Sequence, residues 1–129
     1  MIVDSSVLIA ILREESEAAE FKEILLANLG QVKISAASYV ETGIVFDSQK
    51  DHVLSDKLDA LIREYEIEIA PLAFEQARHA RLAHRNYGKG NHPARLNFGD
   101  CFAYALAKTT GEPLLFKGDD FGHTDVLAA

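Results

Sequence analysis

Cysteine is all but absent from this sequence: Cys101 stands alone among 129 residues. A single thiol forms no intramolecular disulfide and furnishes no zinc cage, so neither an oxidising compartment nor a structural zinc is called for. A reducing cytoplasm is the expected setting. Long apolar runs are missing too. The run from Val7 to Leu12 follows Asp4 directly, lacks a basic flank and gives way to Arg13, Glu14 and Glu15, which fits neither a signal peptide nor a membrane span. There is no internal repeat, no low-complexity tract and no Pro/Gly/Ser linker, so the length reads as one domain around one core. Two nucleotide-binding signatures, G-x-x-x-x-G-K-[ST] and G-x-G-x-x-G behind a strand, are also lacking.

Positive charge is in short supply. Thirteen Lys and Arg face twenty Asp and Glu, a net charge of -7. That balance disfavours wholesale wrapping of a polyanion, which needs clustered Lys and Arg to neutralise phosphates. Local charge still matters more than the sum.

What is present is a set of short apolar runs between helical patterns. Met1-Ile2-Val3 is stopped by Asp4-Ser5-Ser6 and reads as a buried strand meeting a polar turn, with residues 5–12 as a short helix. Ser16 is the expected N-cap of a helix through Leu29, closed by Gly30. Val32 to Ser35 is a second strand candidate. Ser38 and Glu41 have the S-x-x-E spacing of a capping box at the head of the next helix. A further helix covers Val53 to Glu66, with Leu54, Leu58, Leu61, Ile62 and Tyr65 on one face. Ile67 to Ala70 is a short strand closed by Pro71, and Phe74 to Tyr87 a helix ended by Gly88. After a Gly/Asn/Pro loop, Asn97 caps a helix over residues 98–110 with Gly111 beyond it, and Leu114 to Phe116 is the last strand. Short apolar strands alternating with helices predict an α/β domain with a mostly parallel sheet.

Open parallel sheets bind ligands at the carboxyl ends of their strands. Asp4 ends the first strand, Glu41 lies in the helix after the second, Asp100 opens the last long helix, and Asp119 and Asp120 follow the last strand. A parallel sheet can gather them on one edge. Converging carboxylates repel, and a bound divalent cation relieves the repulsion. Carboxylate oxygens with water suit Mg²⁺ or Mn²⁺, and such an ion supports hydrolysis of a phosphodiester. Each acid also has a purely structural reading: Asp4 as a helix cap, Glu41 as the N3 member of the capping box, Asp100 as an acid at a helix dipole and Asp119-Asp120 as a turn. The joint pattern points to chemistry.

Four blocks carry a family resemblance. They are Ile2-Val3-Asp4-Ser5-Ser6; Ser35-Ala36-Ala37-Ser38-Tyr39-Val40-Glu41-Thr42; Leu96-Asn97-Phe98-Gly99-Asp100-Cys101-Phe102-Ala103-Tyr104-Ala105; and Pro113 to Phe121 through Thr124-Asp125. Together they resemble the PIN-domain family, and within it the VapC-type toxins of bacterial toxin–antitoxin pairs. The resemblance covers essentially the whole chain and keeps the family's order of blocks. It implies a three-layer fold with a parallel sheet of four or five strands flanked by helices, and a Mg²⁺- or Mn²⁺-dependent endoribonuclease. It also implies a homodimer, neutralised by a VapB-like antitoxin in a heterotetramer or larger assembly, with an antitoxin segment in the acidic pocket. Asp4 and Asp100 take the place of the principal metal ligands, Glu41 that of a third acid, and Ser6 that of a hydroxyl orienting the first acid. For the fourth acid the pattern favours Asp120, with Asp119 adjacent.

RNA needs a basic surface besides an acidic pocket. Residues 76–99 hold no acid but carry Arg78, Arg81, Arg85, Lys89 and Arg95, a charge of +5 that leaves -12 on the rest of the chain. Lys89, His92 and Arg95, on the loop before Asp100, are the expected RNA guides, with Arg85 on the preceding helix; contacts of this kind position a strand without reading it. Tyr87 is expected to pack rather than stack on a base, and Cys101 to face the core. Two other readings stand beside the ribonuclease: a catalytically silent PIN-like module binding RNA or protein, and a phosphatase with Asp4 as nucleophile. The second lacks the usual partner acid, since position 6 is Ser.

Overall fold

The computed structural model describes residues 1–129. Strand β1 (Ile2–Val3) leads into α1 (Ser5–Leu12) and α2 (Ala18–Ala27), and β2 (Lys33–Ser35) into α3 (Ala36–Ser48) and α4 (His52–Glu64). Then come β3 (Glu68–Ala70), α5 (Phe74–Tyr87), α6 (Asp100–Thr110), β4 (Leu114–Leu115) and a 3₁₀ turn, Asp120–His123. The four strands lie in the order β3-β2-β1-β4 and every pairing is parallel, as expected of strands joined by helical crossovers. Beyond β4 the tail adds a single bridge, Leu114 to Ala128.

Strand alternation divides the core in two. Val3, Ile34 and Leu115 point to one side, where they pack with Val7, Leu8, Phe21, Leu25, Leu58 and Leu61. Ile2, Ala70 and Leu114 point to the other, against Ala80 and Ala83 of α5 and Ala103, Ala105 and Leu106 of α6. The registers Ile2 to Leu114 and Val3 to Leu115 put like faces together. Each large apolar side chain so buried stabilises the fold by roughly 1.5–3 kcal/mol. That burial offsets the weakness of strands only two or three residues long. The small residues of α5 and α6 let these two helices pack closely.

Three helix starts differ from the sequence expectation. The second helix begins at Ala18 with Glu17 at its N-cap, so Ser16 does not cap it. Ser35, not Ser38, caps α3, its hydroxyl accepting from the Ala37 amide at 3.3 Å. Ser35 is paired with Ala70 in the sheet, which fixes where the chain leaves β2 and starts the helix three residues early. Glu41 is therefore in the second turn of α3 and is no capping residue. The last long helix takes α-helical form from Asp100 rather than from residue 98. At its far end Gly111 adopts φ 71°, the left-handed conformation that closes a helix cheaply only without a Cβ. The acids thus meet the sheet edge from the starts of α1 and α6, the second turn of α3 and the turn after β4.

Candidate active site at the carboxyl edge of the sheet

Asp4 is the first residue beyond β1. Its amide donates to the Leu115 carbonyl at 2.9 Å, and its extended backbone makes it the N-cap of α1. The Ser6 amide donates to Oδ2 at 3.0 Å. The capping role anticipated for Asp4 is real, but it engages only that oxygen. Oδ1 is buried with no hydrogen-bond partner, and the residue is 3% exposed. Burial pushes the carboxyl up from its ordinary value, hydrogen bonding from Ser6 partly restrains it, and the charge of Glu41 pushes further. An unpartnered buried carboxylate oxygen is costly unless something arrives to satisfy it.

Glu41 reaches the same place from α3. The Ser5 hydroxyl donates to Oε1 at 2.7 Å, and Ser5 is itself buried. Oε2 lies against Gly99, in the space a Cβ there would need. Glu41 therefore bridges the start of α1 and the segment leading into α6. Neither Ser5 nor Gly99 stood out in the sequence. The signal for Ser5 was present in the Asp4-Ser5-Ser6 run, where only Ser6 was singled out.

Asp100 opens α6. Its Oδ2 accepts from the Asn97 amide at 2.9 Å while the Asn97 side-chain oxygen accepts from the Asp100 amide, also at 2.9 Å. Asn97 was expected to cap the helix itself, but the N-cap position is Gly99; Asn97 instead caps the turn that leads into α6, and Asp100 returns the bond. Burial, first of all, raises the Asp100 carboxyl to about 6; the Asn97 amide opposes that, and the charges of Asp4, Glu41 and Asp120 add to it. Carboxylates separated widely in the chain share one field. Asp119 and Asp120 are both exposed. Besides its bonding to Asp4, Ser6 ties this region together through its hydroxyl, which accepts from the Lys117 amide at 3.0 Å. The exit of β4 is thereby fastened to the start of α1.

The donor set is all oxygen, which suits a hard divalent cation. Cys101 takes no part: it is buried, its thiol contacts the Asn97 carbonyl at 3.2 Å, and burial pushes it up to about 11. No three His, Cys, Asp or Glu side chains close around a single point.

On the loop from Gly88 to Asn97, closed by a parallel bridge between Gly88 and Leu96, Lys89 and Arg95 are exposed. His92 is turned inward. Its Nδ1 accepts from the Ala94 amide at 3.1 Å and its ring meets Tyr87 edge-on at 5.0 Å. The ring thus shapes the loop, which leaves Nδ1 engaged and separates His92 from the two free cations. Tyr87 packs against Tyr104 as well, at 5.6 Å, matching its expected packing role. Arg85 is exposed on α5. A feature invisible in the sequence is an apolar recess of about 570 Å³ beside the acids, lined by Val40, Ile44, Leu72, Phe98 and Phe102 together with Glu41. Phe98 is 80% exposed there.

Acids held at the carboxyl edge of a parallel, helix-flanked sheet are the arrangement of a PIN domain, and the PIN domain profile matches residues 1–127. The chain belongs to the PIN-domain family. Within that family its relatives are of the VapC type: ribonuclease VapC28 of Mycobacterium tuberculosis is 55% identical over 130 residues, covering all of this chain and 97% of the relative. Among solved structures, M. tuberculosis VapC20, described as a sarcin-ricin loop cleaving toxin, superposes with a TM-score of 0.80 at 13% identity, covering 99% of this chain and 97% of that one. A toxin–antitoxin complex from Klebsiella pneumoniae gives 0.73 at 16% identity, covering 99% and 95%. At these identities the two structures establish the fold.

Proposed function

We propose that this protein is a Mg²⁺- or Mn²⁺-dependent endoribonuclease, the toxin of a VapBC-type pair. The observation that carries the reading is the buried, unpartnered Oδ1 of Asp4 in a site where Asp100 feels three other carboxylates. The 55% identity to a VapC ribonuclease over the whole chain supports it. Asp4 and Asp100 would hold the cation, with Glu41 and Asp120 at its margin. When bound, the ion supplies charge neutralisation for the phosphodiester and a place for the attacking water. Glu41, with Oε1 fixed by Ser5, keeps Oε2 as the acceptor that orients that water. Asn97 and Ser6 hold the two principal acids so that little reorganisation is needed on substrate binding. Exposed Lys89 and Arg95, on the loop that leads into α6, would guide the RNA backbone; His92 supports that loop.

The same reading supplies the partners. A VapB-like antitoxin would place a basic side chain among the acids and apolar side chains in the adjoining recess, which matches the -12 charge outside residues 76–99. The toxin would itself be a homodimer, as light scattering of the free chain would show. Its place of action would be the cytoplasm, where RNA is available; no helix is long and apolar enough to cross a membrane.

The deciding experiment incubates the purified protein with mixed-sequence RNA in Mg²⁺, Mn²⁺ or EDTA. Cleavage should need the cation and vanish in Asp4→Asn and Asp100→Asn while circular dichroism stays unchanged. Full activity in both variants would overturn the site assignment.

A further inference from the structure

A second charged surface lies on α5, on the side turned away from the core. Arg78, Arg81 and Arg85 are spaced three and four apart, so they share one face of the helix, and with Leu82 they line a trough of about 370 Å³. All three are exposed. None pairs with a carboxylate, since every ion pair in the protein involves Met1, Lys33, Lys108 or Lys117. In a chain with seven more acids than bases, three neighbouring guanidiniums without a counter-charge are conspicuous. Their mutual repulsion is relieved by a polyanion.

From this surface we infer a phosphate-binding track that extends from the expected guide Arg85 along α5 through Arg81 to Arg78, beyond the loop carrying Lys89 and Arg95, and holds the RNA backbone while the acids act on it. The identity of the polyanion rests on the ribonuclease reading. From Arg78 to Arg85 the helix advances about 10 Å. Its three guanidiniums can neutralise up to about three backbone phosphates. The trough contains no aromatic ring for a base to stack on and no carboxylate or amide to read a base edge. It therefore grips backbone without regard to sequence. The C-terminal end of α5 runs into the Gly88 loop and, through the Gly88 to Leu96 bridge, lies near the segment that starts α6.

The test measures fluorescence anisotropy of a labelled, unstructured RNA of about 20 nucleotides in EDTA across a series of KCl concentrations. The Arg78→Gln, Arg81→Gln, Arg85→Gln triple variant should bind at least about tenfold more weakly at low salt. Its slope of log affinity against log salt should be shallower by about 2, from about 0.7 per lost phosphate contact. The matching triple Lys variant should keep most of the slope. Removal of equal charge elsewhere, by Lys22→Gln, Lys50→Gln and Lys57→Gln, should change it far less. Equal affinity and slope for wild type and the Gln variant would overturn the track, even if Mg²⁺-dependent cleavage of the same RNA were intact. Arginine-dependent binding without cleavage in any divalent metal would instead overturn the nuclease reading and leave the track standing. Arginine-dependent capture of poly-glutamate more tightly than RNA at equal ionic strength would overturn RNA as the occupant in favour of an acidic protein.

Discussion

Asn97 and Asp100 hold each other through two reciprocal hydrogen bonds, each of 2.9 Å, that join backbone amide to side-chain oxygen in both directions. One carboxylate oxygen of the acid is thus immobilised by the same motif that starts α6. Asn97→Ala removes the cap and should cost about 0.5–2 kcal/mol of stability. The bond to Asp100 Oδ2 comes from the backbone amide of residue 97 and survives the change, so RNA cleavage should fall only modestly, through loosening of the turn that presents Asp100. Thermal melts and single-turnover cleavage on the same preparations check both, and a variant that loses stability but cleaves at the wild-type rate would separate the cap from the chemistry.

Ser5 is expected to act through Glu41. Ser5→Ala deletes the 2.7 Å hydrogen bond to Oε1 and should reduce kcat by about tenfold, about 1.4 kcal/mol, with a smaller change in KM. Ser5→Thr, which restores a hydroxyl, should recover most of the loss. Equal activity of the Ala and Thr variants would show that this bond does not orient the acid.

Gly99→Ala is a sharper probe of the same carboxylate. An added Cβ takes the space occupied by Oε2 of Glu41, the mobile end of a side chain, so the fold should survive while the acid is displaced. Activity should fall to the level of Glu41→Gln, and combining the two changes should add little. A fully additive double variant would place Gly99 outside this contact.

The acids should also show in stability against pH. Burial and neighbouring charge raise the Asp100 carboxyl from 3.8 to about 6, so the folded state holds that proton more tightly than the unfolded chain does. Without metal, the stabilisation from Asp100 is full below about pH 4 and is lost as pH rises to about 6. Asp4, shifted in the same direction, adds to the trend. The difference in Tm between wild type and Asp100→Asn, measured in EDTA, should fall across that window. Mg²⁺ at pH 7.5 should raise the Tm of the wild type and leave that of Asp100→Asn almost unmoved. A pH-independent difference would mean that Asp100 titrates alike in both states.

Much of this was legible in the chain itself, for physical reasons that vary by element. Helix α5 runs from Phe74 to Tyr87 as its pattern implied, because Pro71 and Gly88 bracket it and little long-range force opposes them. Ser38 misled because a capping-box spacing is local information, whereas the start of α3 is set by the pairing of Ser35 with Ala70. The adjacent Asp119 and Asp120 could not be separated by spacing. In the structure they are the N-cap and the first residue of one 3₁₀ turn, and both are exposed. The apolar recess left no trace in the sequence, since Val40 and Ile44 come from one helix and Phe98 and Phe102 from a distant segment. Ser5 and Ser6 look alike in sequence, yet the first serves Glu41 while the second serves Asp4 and accepts from the Lys117 amide.

The bond from the Lys117 amide to the Ser6 hydroxyl joins positions 111 residues apart. During synthesis the first acid of the site is made more than 100 residues before the strand and turn that complete its surroundings. Contacts of such long sequence separation also form slowly. A nascent chain still on the ribosome therefore carries Asp4 without Asp120 or the fastening at Lys117. The acids can come together only after translation has passed Lys117 and Asp120, a delay that separates the making of Asp4 from the onset of whatever these carboxylates do.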